Sequence, residues 1–344
     1  MRKVLIFTYH YNRDDFIRYQ AKTFSKFLEC DYHYVVFNDA QQGKLDTLYN
    51  KPSFDLIKST CDELGIEHIP IPQNIHGTTE PCTFRHMDCI NWSLRNYPVD
   101  NYQYIWFCDS DLFLMAPIDI DKFMGSYDFA AMPYFINDIK LYRPQIVIYK
   151  SHLHPIITKY DMSPTVIDGQ YTDGCGGLYY MFKENPQISY RPIRTSWCKH
   201  CGDYDVTFET EVNTLSQRKE VQKDMQSQGY HNLIYTYKNG STTETLQEQK
   251  DFLKHCNLPK PLEKFTLAHF ELARSGVSNN NIMGMWDWRG GFMEGITFYH
   301  YSEGSNWDKK PDDYHLRRSK ILGELVTDLT STIIQQPQNK LMAP

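Results

Sequence analysis

The sequence predicts an α/β protein in which a mixed, mostly parallel sheet is flanked by helices, the whole forming a single elaborated domain. Three observations lead there. Short apolar runs rich in β-branched and aromatic residues (Val4-Leu5-Ile6-Phe7, Tyr34-Val35-Val36-Phe37, Tyr104-Ile105-Trp106-Phe107-Cys108) alternate with longer stretches of helical periodicity, as βαβ units do. At 344 residues, 41% of them hydrophobic and 15% aromatic, the chain has the material for one large core. Neither G-x-G-x-x-G after the first strand nor G-x-x-x-x-G-K-[ST] anywhere is present, so any phosphate recognition rests on side chains and metal.

Taken in order, the first strand is followed by a helix over 14–28 with Phe16, Tyr19, Phe24 and Phe27 at helical spacing, then by the Tyr34 strand. A helix over 56–64 leads to a strand over 66–71, where Pro70 and Pro72 predict an edge or terminal role. Met87, Ile90, Trp92 and Leu94 place a helix over 84–97, just before the Tyr104 strand. Beyond 130 the spacing predicts short strands over 129–132, 146–149, 178–182, 266–270 and 296–300, and the polar stretch 237–251 reads as a loop or the start of a helix. Ile321, Leu325, Leu329 and Ile333 recur every fourth residue, an amphipathic helix that packs on the body or on a second copy of the chain. The expected organisation is a first half (1–130), a second, substrate-building half (131–310), a C-terminal helix (311–335) and a frayed tail (336–344).

A net charge of -6, from 42 acidic and 36 basic residues, lacks the clustered basic excess of a nucleic-acid surface. The first apolar run is too short for a signal-peptide core or a transmembrane segment, so the expected location is cytoplasmic. Nine cysteines scattered through apolar segments fit reduced thiols better than a disulfide framework. Cys198-Lys199-His200-Cys201 has zinc-ligand spacing but lacks a second pair at matching spacing, Cys175 and Cys256 being remote.

The motif that carries chemistry is Asp109-Ser110-Asp111, directly after the Tyr104 strand and before Leu112-Phe113-Leu114. Alternation places residues i and i+2 of a strand on one face, so both carboxylates can converge on a hard cation, and that cation can hold a diphosphate. Two carboxylates between apolar runs need such compensation. Trp286-Asp287-Trp288 supplies aromatic faces beside an acid, the residues sugar recognition uses, so Asp287 and Trp288 are acceptor-site candidates.

The acidic pair, the glycine-rich Asp173-Gly174-Cys175-Gly176-Gly177 and the late His300 occur in an order that resembles the GT-A superfamily of glycosyltransferases, over roughly the first 310 residues. The segment Phe298-Tyr299-His300-Tyr301-Ser302-Glu303-Gly304-Ser305-Asn306-Trp307 is similar to the H-x-x-G-x-x-K-P-W ending of glycogenin-like enzymes, with Gly304 one residue late and Asn306 where Lys-Pro would stand. The resemblance implies a GT-A-like, Rossmann-like fold and transfer of a sugar from a nucleotide-diphosphate sugar to a glycan, lipid or protein acceptor. It implies that Asp109, Asp111 and His300 hold Mn²⁺ or Mg²⁺, that Thr8, Tyr9 and Tyr11 cradle the nucleoside, and that Asp39 reaches the base or ribose. Arg85, with His86 and Asp88, lies where the family sends a basic side chain to the diphosphate. Gly176 and Gly177 would line the sugar pocket, and Lys309 or Lys310 would replace the missing phosphate-contacting lysine. Asp203 and Asp205 are similar to the family's D-Q-D segment.

An inverting enzyme needs a carboxylate base, for which Asp173, Asp203, Asp205 and Asp287 are candidates; a retaining one needs none there, and the sequence does not choose. Two rivals share the D-x-D. A haloacid-dehalogenase-like phosphatase would use its first aspartate as nucleophile, although Leu112-Phe113 stands where a small Gly-Thr type pair is usual. A nucleotide-sugar-binding protein without turnover is the other.

Overall fold

A computed structural model describes residues 2–46, 50–77, 82–136, 139–172, 174–194, 197–199, 220, 223, 230–232, 258–274, 291–294, 296–301 and 313–331. Its centre is a seven-stranded sheet. In chain order the opening elements are β1 (Arg2–His10), α1 (Asp14–Phe27), β2 (Tyr32–Asn38), α2 (Ser53–Leu64), β3 (Glu67–Pro70), α3 (Cys82–Asn96) and β4 (Tyr102–Asp109). β5 (Leu112–Leu114), α4 (Ile120–Met124), β6 (Phe129–Ile136), β7 (Ile139–Lys150) and α5 (His154–Ile157) follow. The chain then forms β8 (Val166–Ile167), β9 (Gln170–Tyr171), α6 (Gly176–Glu184) and β10 (Tyr190–Pro192). The remaining described elements are β11 (Trp197–Lys199), β12 (Tyr230–Asn232), α7 (Lys260–Arg274), β13 (Gly291–Met293), β14 (Phe298–His300) and α8 (Asp313–Ser331).

The sheet runs β10-β6-β7-β4-β1-β2-β3. β3, β2, β1 and β4 are parallel neighbours, β7 is antiparallel to both β4 and β6, and β10 is parallel to β6. The strand order reverses between β1 and β4. Two crossovers build out from β1 to β3, and a third returns the chain to the other side of β1, which sends α3 to the opposite face from α1 and α2. Residue alternation matches: Val4 and Ile6 pack with α1, α2 and α8, while Leu5, Phe7 and Tyr9 pack with α3 and α6. Both faces are covered, which is why β1 and β4 read as unbroken apolar runs.

Of the edge or terminal role predicted for 66–71, the edge is what is observed, since β3 closes one end of the sheet. Two predicted strands are helices. Residues 178–182 lie in α6 and 266–270 in α7. A short apolar run does not distinguish a buried strand from a buried helix; here Leu178 with Met181, and Leu262 with Phe265 and Thr266, are buried at three- and four-residue spacing. The predicted segments 129–132 and 146–149 belong to the long hairpin β6–β7, whose register shifts between Ala131 and Met132. The C-terminal helix is present as α8, and its stripe (Leu322, Leu325, Val326, Leu329) is buried within the chain in the core shared with α1 and α7. Gly323 allows this approach, because a Cβ there would stand 2.5 Å from the Tyr19 hydroxyl. No helix among the described residues is long and apolar enough to cross a membrane. The 237–251 stretch and the 336–344 tail lie outside the described residues.

Candidate metal and ligand site

The parallel strands β1, β2, β3 and β4 all end at one edge of the sheet, and the crevice between β1 and β4 is the point where strand order reverses, the usual ligand site of open α/β sheets. Tyr9 is in register with Asp109 and His10 with Asn38, so the first residues past each strand share this edge.

Asp109 ends β4 and Asp111 precedes β5. The third residue arrives from far along the chain: β14 pairs antiparallel with β5, setting His300 opposite Leu112, and Tyr301 donates its N–H to the Asp111 carbonyl at 2.9 Å. His300 Nε2 lies 3.1 Å from Asp111 Oδ1 and 3.3 Å from Asp109 Oδ2. Burial lowers the affinity of this imidazole for a proton, but the Asp111 charge and hydrogen bonds to Asp109 and Asp111 outweigh it, raising its pKa to about 10. His86 Nε2, from α3, stands 3.6 Å from Asp109 Oδ1. That buried oxygen has no hydrogen-bond partner.

These residues fit a divalent cation. One donor atom from each of Asp109, Asp111 and His300 lies within 4.8 Å of the others; six-coordinate geometry with bonds of about 2.1 Å would place neighbouring ligands roughly 3 Å and opposite ones roughly 4 Å apart. Two carboxylates and an imidazole suit Mg²⁺ or Mn²⁺. An acceptor-only carboxylate oxygen left without a donor is what a cation would satisfy.

The turn is held from beneath by Gln20 of α1. Its Nε2 donates to the carbonyls of Asp109 (3.1 Å) and Leu112 (3.0 Å), and its Oε1 accepts from Tyr34 Oη at 2.7 Å. Thr8 Oγ1 and His10 Nε2 complete this buried group: Thr8 donates to Tyr34 Oη at 3.1 Å, and His10 Nε2 is 3.1 Å from both Thr8 Oγ1 and Gln20 Oε1. Burial pushes the His10 pKa down to about 4, so the ring is neutral at physiological pH. Thr8 therefore faces the polar core beneath the turn.

A second group forms on the β2 side of the crevice. Arg85 donates to Asp39 Oδ2 at 3.0 Å, His76 Nε2 lies 2.7 Å from Asp39 Oδ1, and His76 Nδ1 lies 3.1 Å from Asp88 Oδ2. Gln73 donates to the Asp39 carbonyl at 3.1 Å. Burial lowers the proton affinity of His76, but Asp39 and Asp88 more than offset it and the pKa is raised. Three of the predicted residues, Asp39, Arg85 and Asp88, thus meet in one cluster. Tyr11 joins them, with the Arg85 guanidinium 5.4 Å from its ring centroid, and Tyr9 packs its ring edge-on to His86 at 5.4 Å while donating to or accepting from Ser93 at 2.8 Å. His76 and Gln20 carried no sequence signal, since neither sits in a recognisable spacing.

Gly176 and Gly177 open α6 and are buried. A Cβ on Gly176 would collide with Thr165, and one on Gly177 with the backbone of Asp161, so close packing against the 161–165 segment accounts for both glycines. Asp173, Asp203, Asp205, Asp287, Trp288, Lys309 and Lys310 lie outside the described residues, as do Gly304 and Trp307 of the late motif and Cys201 of the cysteine pair. No protein-family model and no curated protein matches the chain.

Proposed function

We propose that the protein is a metal-dependent glycosyltransferase of GT-A-like fold that moves a sugar from a nucleotide-diphosphate sugar to a glycan, lipid or protein acceptor. The observation that carries this reading is the convergence of Asp109, Asp111 and His300 at the strand-order reversal, with a carboxylate oxygen left open to a cation. Asp109, Asp111 and His300 would hold Mn²⁺ or Mg²⁺, which when bound supplies charge stabilisation to the departing diphosphate without proton transfer. Gln20 holds the carbonyls of Asp109 and Leu112 and so would preset the direction of the two carboxylates. Arg85, which donates to Asp39 and lies against Tyr11, would contact the diphosphate, and Asp39 and Tyr11 the nucleoside. His86, beside Asp109, adds a hydrogen-bond donor facing the same space. An inverting transfer would take its acceptor base from Asp173, Asp203, Asp205 or Asp287, and a retaining one would need none there.

A thermal-shift screen of UDP-, GDP-, CMP- and dTDP-sugars with and without Mn²⁺ tests the reading, because ligands that bind only the native state raise the melting temperature. A Mn²⁺-dependent shift by one nucleotide class, absent in Asp111→Asn, is expected. No shift from any nucleotide with folded protein would overturn it and turn attention to phosphoester hydrolysis.

A further inference from the structure

Beyond the Asp109 group, the described residues hold a second convergence of metal-ligating side chains, of different chemistry. Asp39 follows β2, His76 follows the short turn Gln73–Ile75, and Cys89 lies in the second turn of α3. One donor atom from each lies within 4.8 Å of the other two. We propose that Asp39, His76 and Cys89 form a binding site for a thiophilic divalent cation, Zn²⁺ being the ion whose preferences the donors match.

The donor set argues for this first. An oxygen, an imidazole nitrogen and a sulfur are a zinc combination, whereas the oxygen-rich Asp109 group suits a harder ion, so the two sites would sort cations by softness. Geometry argues second. Tetrahedral zinc with bonds of about 2.0–2.3 Å needs donor separations of roughly 3.3–3.8 Å; the three donors lie within 4.8 Å of one another, and His76 Nε2 and Asp39 Oδ1, now hydrogen-bonded at 2.7 Å, would have to part by roughly 0.6 Å to admit the ion. Cys89 hydrogen-bonds to Asp39 and is buried, as is the His76 side chain, 3% exposed. The surrounding contacts argue third. Asp88 Oδ2 sits 3.1 Å from His76 Nδ1, the carboxylate–histidine arrangement that leaves Nε2 as the ligating nitrogen. Arg85 takes the other Asp39 oxygen, Oδ2, so Oδ1, which meets His76 Nε2 at 2.7 Å and accepts from Gln73 at 3.4 Å, is the oxygen turned towards the proposed ion.

Binding would form bonds from Asp39 Oδ1, His76 Nε2 and the Cys89 thiolate, releasing the thiol proton and the proton His76 shares with Asp39 to solvent. Three protein ligands leave a fourth position for water or an exogenous donor. The proposal does not rest on the glycosyltransferase reading, since its tests involve neither nucleotide nor turnover.

Full-length protein freed of metal by chelation and dialysis, then titrated with Co²⁺, would show a thiolate-to-cobalt charge-transfer band in the near ultraviolet with a stoichiometry of about one. The band should persist in Asp111→Asn, which disables the other group, and disappear in Cys89→Ser and in His76→Gln. Asp88→Asn should keep the band but weaken Co²⁺ affinity roughly 10–100-fold. Absence of the band in folded wild-type protein would overturn the proposal whatever the variants do. So would its persistence in Cys89→Ser, which would move the site to other cysteines such as Cys198 and Cys201.

Discussion

Gln20 is the side chain on which the acidic turn depends, although it touches no acidic side chain. It is buried, donates to the carbonyls of Asp109, within the Asp-Ser-Asp segment, and of Leu112, just after it, and accepts from Tyr34. Gln20→Leu keeps the volume but takes the side-chain donor from two buried carbonyls, at about 1–3 kcal/mol each and partly relieved by relaxation, and takes the acceptor from the Tyr34 O–H, which still accepts from Thr8. A loss of roughly 3 kcal/mol in urea unfolding is expected. Gln20→Glu, which can still accept from Tyr34 but cannot donate, should weaken Mn²⁺ binding measured by calorimetry; unaltered affinity in that variant would show that the turn orients itself. Nothing in the sequence points to Gln20, because its partners lie on another element and only the fold joins them. Asp109 and Asp111 were legible for the opposite reason: two acids between apolar runs have no local compensation, and the required partner, His300, ends a strand of its own. Asp39, Arg85 and Asp88 were legible as residues after a strand or opening a helix, but their common partner His76 sits in a loop that no periodicity marks.

At the level of elements, α8 is tied to the site through the strand that carries His300. Arg318 donates to the Tyr301 carbonyl and lies over the Tyr301 ring, 4.1 Å from its centroid, while the Tyr301 hydroxyl meets Ser319 at 3.1 Å. Tyr301 in turn donates to the Asp111 carbonyl. Removing Arg318 takes away a charged donor to a buried carbonyl and a stacking contact, so Arg318→Ala should cost about 2–3 kcal/mol in denaturant unfolding. It should also lower Mn²⁺ affinity, whereas Leu316→Ala, on an exposed position of the same helix, should change neither. Equal Mn²⁺ affinity in Arg318→Ala and wild type would separate α8 from the site. The helix itself was readable from its four-residue repeat, since a long amphipathic stripe has one regular interpretation. By contrast, 178–182 and 266–270 read as strands because five apolar-rich residues are too few to reveal their period; their helical identity rests on packing against β7 and α8.

For the whole molecule, the two buried histidines at the site bend stability in opposite directions with pH. Burial holds the His10 pKa in the folded state at about 4, below the ordinary value of 6.5. Between these values the unfolded chain binds the extra proton, so the His10 contribution is complete above about pH 6.5 and fades as pH falls towards 4, by about 3 kcal/mol in all. His300 behaves inversely. Burial alone would lower its pKa, but Asp111 and Asp109 hold it at about 10, so its contribution is complete below about pH 6.5 and is lost as pH rises towards 10. His76, raised in the same direction by Asp39 and Asp88, adds to the alkaline loss. With chelator present, the melting temperature should therefore peak near pH 6–7 and decline on both sides. His10→Asn should flatten the acid limb relative to its own maximum, and His300→Asn the alkaline limb. Mn²⁺ should act on the alkaline side alone, because a cation bound to Asp109, Asp111 and neutral His300 replaces the proton that His300 otherwise holds, and binding becomes stronger as that proton is easier to remove. A melting-temperature gain from Mn²⁺ that is as large at pH 5 as at pH 8.5 would place the cation away from His300; a gain that grows with pH and vanishes in Asp111→Asn would place it among these three side chains.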